Sequence, residues 1–176
     1  DNSMEIIQRD TTMMGLLSFT HKQLDQRLRN AAISKIKLRP NWEQELADIL
    51  DQNNAYDDYW VYVFLEGTSL DHPEKLVAPM NNSISTITAK IKEAMKDPYM
   101  DNLAYLDVDL LCRVLIQQFP GTCEVFRPNL LLLQSVLEQQ PTTRNGQIDH
   151  HKFAETLKSY HQAVKTLLRQ KLSEGK

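Results

Sequence analysis

The chain has 176 residues, enough for one domain with a real core, and carries 41% apolar residues, 24% charged residues and a formal net charge of −3. That balance excludes a disordered tract and gives no whole-protein reason to expect nucleic acid. Five glycines disfavour turn-rich all-β folds and glycine-loop nucleotide sites, and the longest apolar run, Tyr59 to Leu65, is far short of the about 20 residues a membrane span needs.

Residues 4 to 38 read as one long helix. Met14, Leu17, His21, Leu24, Leu28 and Ala31 recur at three-and-four spacing and form one stripe. Its second half is basic, with six bases from Lys22 to Arg39 against Asp25 alone. Arg39-Pro40 ends it, because the residue before proline is pushed out of the helical region. Asn41 then caps a short helix carrying Trp42, Leu46, Ile49 and Leu50, which Gln52-Asn53-Asn54 breaks.

The next stretch fits two templates. Tyr56, Tyr59, Trp60, Val63 and Phe64 match helical spacing, whereas YWVYVFL alone suits a buried strand. With no second strand to pair with, it is assigned to a helix that stops at Gly67. Asp71-His72-Pro73-Glu74 starts another helix, with Asp71 as cap and Glu74 completing a capping box. Its stripe is Leu76, Met80, Ile84, Ile87, Ile91 and Met95. Asp97-Pro98 separates it from a helix with Leu103, Leu106, Leu110, Leu111, Val114 and Leu115 inward, ended by Phe119-Pro120-Gly121. Pro128 begins a further helix, where Leu130 to Leu133 are apolar on all sides and read as central. After a loop from Pro141 to Gly146, Asp149 caps the last helix, with Ile148 stapled to Phe153. The face of that helix is Phe153, Leu157, Tyr160, Val164, Leu168 and Leu172.

The expectation is a single all-α domain spanning 1–176, a helical bundle or orthogonal helical array of about six to seven helices. The opening Asp1-Asn2-Ser3 reads as a piece of a longer protein. The preferred setting is an extracytoplasmic domain of a membrane-anchored signalling protein.

Catalytic patterns are absent from the sequence. There is no phosphate loop, no nucleophile elbow and no zinc-spaced histidine pair with a glutamate between. His150 and His161 lie eleven apart, but a metal site needs three or four converging ligands, so both read as surface histidines. Cys112 and Cys123, also eleven apart, read either as a local disulfide or as two buried thiols. Asn145-Gly146-Gln147-Ile148 followed by Phe153 resembles the centre and exit of an EF-hand calcium loop. Lys152 stands where that family needs a bidentate glutamate, Pro141 and Thr143 stand at the first and third ligand positions, and no calcium or other cofactor is expected. Asn81-Asn82-Ser83 matches the glycosylation acceptor pattern. The bases from Lys22 to Arg39 suit phosphates, but no aromatic residue among them offers stacking.

One stretch has chemical character. From Pro40 to Glu74 there is no lysine or arginine, while nine carboxylates and both tryptophans lie there. Aromatic faces attract cations and nearby carboxylates add direct attraction, so Trp42, Tyr56, Asp57, Asp58, Tyr59 and Trp60 are the candidate lining of an amine-binding pocket. The plain reading, which is the preferred one, places Tyr59, Trp60, Val63 and Phe64 in the core, with Asp57, Asp58 and Tyr62 in solvent. Function is read as a non-enzymatic binding domain, most concretely a helical ligand- or partner-sensing domain, its partner a small cationic ligand or a basic protein. The other reading is an intracellular adaptor presenting an acidic aromatic face to a basic protein.

Overall fold

Capping residues cut what periodicity joins. The computed structural model describes residues 2–10, 12–96, 101–121, 123–140 and 150–174. In it the segment from 4 to 38 forms three helices, α1 (Ser3–Arg9), α2 (Met13–Leu17) and α3 (Gln26–Lys37), rather than one. Thr12 Oγ1 accepts from Gly15 N at 3.1 Å and Asp25 Oδ1 accepts from Arg27 N at 2.8 Å, so each residue starts a helix. Ser18 and Thr20 donate their hydroxyls to the carbonyls of Gly15 and Leu17 and close α2. The expected stripe is corrected with the helix. Ile7, Leu16, Leu17, Ala32 and Ile36 are buried, whereas Leu24 is exposed.

The basic half of that segment is engaged within the chain. Lys35 Nζ donates to the carbonyls of Ile7 and Gln8 at 2.7 and 2.6 Å, closing the C-terminal end of α1. Arg29 donates to the carbonyls of Thr20 and Glu66. Arg39 holds Glu45 through two bonds of 2.7 Å, the fork geometry that makes an arginine–carboxylate pair specific.

Helix α4 (Trp42–Leu50) ends in a turn where Asn53 has φ +57, a left-handed conformation that asparagine tolerates better than most residues. Asn54 Oδ1 accepts from Tyr56 N and Asp57 N at 3.1 and 3.3 Å, and α5 (Ala55–Leu65) follows. The ambiguous stretch is therefore a helix, and Gly67, with φ +85, lies just past its end. Beyond a 3₁₀ turn at Pro73–Leu76 runs α6 (Val77–Ala94), whose predicted stripe from Leu76 to Met95 is buried throughout. Its entry differs from expectation. No side chain at the turn's own N-cap supplies the bond; Glu43 Oε2 reaches across from α4 to accept from His72 N at 2.7 Å.

A second 3₁₀ turn, Asp101–Tyr105, leads into α7 (Val108–Gln118), capped by Asp107 Oδ1 on Leu110 N at 2.9 Å. The boundary predicted at Asp97-Pro98 lies outside the described residues, but the single helix expected from there through Leu103 and Leu106 is corrected: Leu103 lies in the turn, and Asp107 starts a shorter helix at Val108. Helix α8 (Cys123–Leu137) begins before Pro128 and runs through it, a correction to the expected start. Phe126, in the turn ahead of the proline, packs edge-on against Phe119 at 5.8 Å, which anchors the early turn. Leu130 and Leu133 are buried, but Leu131 and Leu132 are exposed, so α8 is not surrounded. The last helix is α9 (His150–Glu174). The Pro141–Gly146 loop, its EF-hand-like pattern, the Asp149 cap and the Ile148 staple lie outside the described residues.

Among the described residues the chain is all-helical, with nine α-helices where six or seven were expected. Helix α5 touches α2, α4, α6 and α7, while α3 packs on α2 and α1 on α3. Helix α6 runs from this group to α8, and α9 closes on α7 and α8. One apolar cluster extends from Ile7 to Leu167 through all nine.

Candidate functional site

Because α5 has neighbours on most sides, two of its polar residues are drawn inside with its apolar ones. Asp58 is 0% exposed and Tyr62 1%, which corrects the reading that put both in solvent. They meet Ser83 of α6. Ser83 Oγ donates to Asp58 Oδ2 at 2.6 Å, and the Tyr62 hydroxyl is bonded to Ser83 Oγ. Since a serine has one proton to give, Tyr62 is the donor in that second bond, and the relay runs from tyrosine to serine to carboxylate. The other carboxylate oxygen, Asp58 Oδ1, is buried with no partner among the described residues. Burial pushes the Asp58 carboxyl up to about 7; the Ser83 bond opposes this, and the charges of Asp57 and Asp51 add to it. Burial also raises the Tyr62 phenol. Ser83 belongs to the glycosylation pattern, so that pattern lies inside a helix with its serine buried, and Asn81 is held by Asn129 of α8 at 2.9 Å.

Beside this seam lies a groove of about 630 Å³ between the α4–α5 turn and the outer face of α6. Gln52, Asn53, Asn54, Asn82, Ser85 and Thr86 supply amides and hydroxyls, and Tyr56 supplies a ring at its edge. Asn82 Nδ2 donates to Asn53 Oδ1 at 2.8 Å and to the Leu50 carbonyl at 3.0 Å, tying the turn to α6. Lys90 Nζ lies 5.4 Å from the centre of the Tyr56 ring and 3.3 Å from Glu93 Oε2. Ring and carboxylate thus form a seat for a cation, and one of the protein's own lysines sits in it.

The six residues selected from sequence do not share one cavity. Of them only Tyr56 lines this groove. Trp42 is buried edge-on against Phe64 at 5.9 Å, with Lys37 Nζ 5.7 Å from its ring. Tyr59 and Trp60 are half-buried and stack edge-on at 5.1 Å, and Tyr59 meets Tyr105 at 5.7 Å. Tyr59 also lines a second pocket of about 300 Å³ with Glu66, Asp107 and Arg113. There Arg113 Nε donates to Glu66 Oε2 at 2.6 Å, and burial raises the Asp107 carboxyl. Asp57 is half-buried on α5. Sequence reasoning missed Asn53, Asn82, Thr86, Lys90 and Glu93; the asparagine break before Tyr56 was the available signal.

Cys112 is a free, buried thiol, and desolvation pushes it up to about 12. The side chain of Cys123 is outside the described residues, as is that of His150. His161 Nε2 lies 3.0 Å from Glu138 Oε1 of α8. No group of three or more metal-ligating side chains occurs among the described residues, and no described helix is long and apolar enough to cross a membrane. No family model, no curated protein and no solved structure matches the chain.

Proposed function

We propose that the chain is a non-enzymatic binding domain whose site is the amide-lined groove, and that its ligand is a small polar molecule bearing an ammonium group. The observation that carries this is the occupied cation seat. Lys90 holds its ammonium against the Tyr56 ring and Glu93 at the edge of a concave surface. A ligand amine takes that seat by displacing a side chain that is a flexible, strongly hydrated point charge. Amides and hydroxyls both donate and accept, so the remaining lining suits a ligand whose other groups do the same. Against a chemical role, the buried thiol of Cys112 is held protonated, which removes the nucleophilic thiolate.

The adaptor reading is weaker because the acidic stretch is partly turned inward. Glu43 caps the 3₁₀ turn, Glu45 pairs with Arg39, Glu66 with Arg113, and Asp58 is buried.

Thermal-shift and NMR titrations with tetramethylammonium, putrescine and amino acids test the reading. A ligand that binds should lose affinity about 2–5-fold in Tyr56→Ala, in line with the loss of an exposed cation–π contact. Lys90→Ala should tighten binding by removing the competitor. Weakening in Lys90→Ala would instead mean that the lysine pairs with an anionic group, and the amine assignment would fall.

A further inference from the structure

The seam between α5 and α6 has a property independent of what the groove binds. Its polar centre is a carboxyl without a cation. Among the described residues no ion pair involves Asp58. From its own helix the charge of Asp57 acts on it and Tyr62 joins it through Ser83, and from the end of α4 the charge of Asp51 acts on it. Helix α6 contributes the Ser83 hydroxyl and nothing charged. Helix α2, MMGLL, has no titratable side chain. The charged groups of α7 act on Tyr59, Cys112 and Arg113 rather than on Asp58. Every charge that reaches Asp58 is therefore negative, and one of its two oxygens is buried without a donor.

We propose that Asp58, Ser83 and Tyr62 form a proton-operated latch between α5 and α6, closed when Asp58 is neutral and loosened when it ionises. A neutral carboxyl keeps the Ser83 bond and avoids burying a charge beside two like charges. An ionised one has Ser83 as its only hydrogen-bond partner among the described residues, so α5 and α6 relieve it by parting enough to admit water. In the unfolded chain an aspartate titrates near 3.8, and in this fold Asp58 titrates at about 7. Between those values the folded state holds a proton the unfolded state has released, so stability falls as pH rises through the window and levels off above it. The latch is tight in mildly acidic surroundings and slack in neutral ones. Asn54 and Tyr56, on α5's side, and Asn82 and Thr86, on α6, line opposite walls of the groove. If the groove is the binding site, as proposed above, its width then follows the proton.

The test uses the whole chain without any ligand, so it stands or falls apart from the binding reading. Thermal melts of the wild type and of Asp58→Asn are compared from pH 5 to pH 8. The wild type should lose several degrees relative to the variant over that range, with the gap changing steadily as pH rises toward 7 and levelling off above it, and amide exchange at Tyr62 and Ser83 should quicken in parallel. Curves that stay parallel would overturn the latch. Should Asp58→Asn fail to fold, the ¹³C shift of the Asp58 carboxyl in the wild type decides alone. A midpoint near neutrality supports the latch, and a midpoint in the ordinary aspartate range refutes it.

Discussion

Tyr62 shows how one side chain serves packing and polarity together. Its ring is among the largest fully buried groups, and its hydroxyl donates to Ser83 inside the seam. Removing only the hydroxyl leaves Ser83 one donor short, whereas removing the ring opens a cavity at the hub of the fold. Tyr62→Phe should therefore cost about 1 kcal/mol and Tyr62→Ala about 3–5 kcal/mol, both read from urea unfolding at pH 6. Equal costs would mean that the hydroxyl carries the whole effect and that the ring has no packing role. The position reads as an ordinary helical tyrosine in the sequence. Nothing local marks it as inward, because the direction depends on α6 lying opposite.

At the scale of elements, boundaries come from caps more than from stripes. Gly15 is the clearest case. A Cβ there would meet Asp10 Oδ2 at 1.7 Å and Thr12 Oγ1 at 2.7 Å, the atoms that organise the start of α2. Asp10 Oδ1 accepts from Thr12 N and Thr12 Oγ1 at 2.8 and 2.7 Å, and Thr12 accepts from Gly15 N. Alanine favours a helix over glycine by about 1 kcal/mol, yet Gly15→Ala must push Asp10 off both bonds. The variant is expected to be less stable by about 1 kcal/mol net, and less so when tested in an Asp10→Ala background, by chemical denaturation. The Thr12 and Asp25 caps were legible from residue type alone. They were outweighed by a three-and-four pattern that continued across both breaks, and that pattern included Leu24, which the fold leaves outside. In α5 the difficulty was different. Its residues are apolar nearly all round, so periodicity carried no phase, and the inward turn of Asp58 and Tyr62 had no signature.

For the whole molecule, the carboxyls set a pH profile with two arms. Asp58 and Asp107 are raised by burial, so their contributions decline as pH rises through their folded values. Glu45 is lowered by Arg39 and Asp10 by its bonds to Thr12, so theirs are present in neutral solution and lost as pH falls through their lowered values. Stability should peak on the acidic side of neutrality, at about pH 5, and fall toward both pH 3 and pH 8 in a series of thermal melts. A profile flat from pH 5 to pH 8 would contradict the environments described for Asp58 and Asp107 together.

By itself the sequence determined the class of this protein and most of its later framework. Helical spacing marked the buried faces of α6 and α7, from Leu76 to Met95 and from Leu110 to Leu115, because those helices have one inward side and their period reports it. Asn54 and Gly67 likewise announced the ends of α5 through turn chemistry that is local. Only the tertiary structure decided which polar groups went inside and which aromatics came together. Trp42, Tyr56 and Tyr59 are close in sequence but point to three different places, since α4 and α5 turn against each other. Lys90, paired with Glu93, reaches Tyr56 from more than thirty residues away. Contacts between helices depend on how each is rotated against its neighbours, and that rotation is a property of the packed chain rather than of any stretch within it.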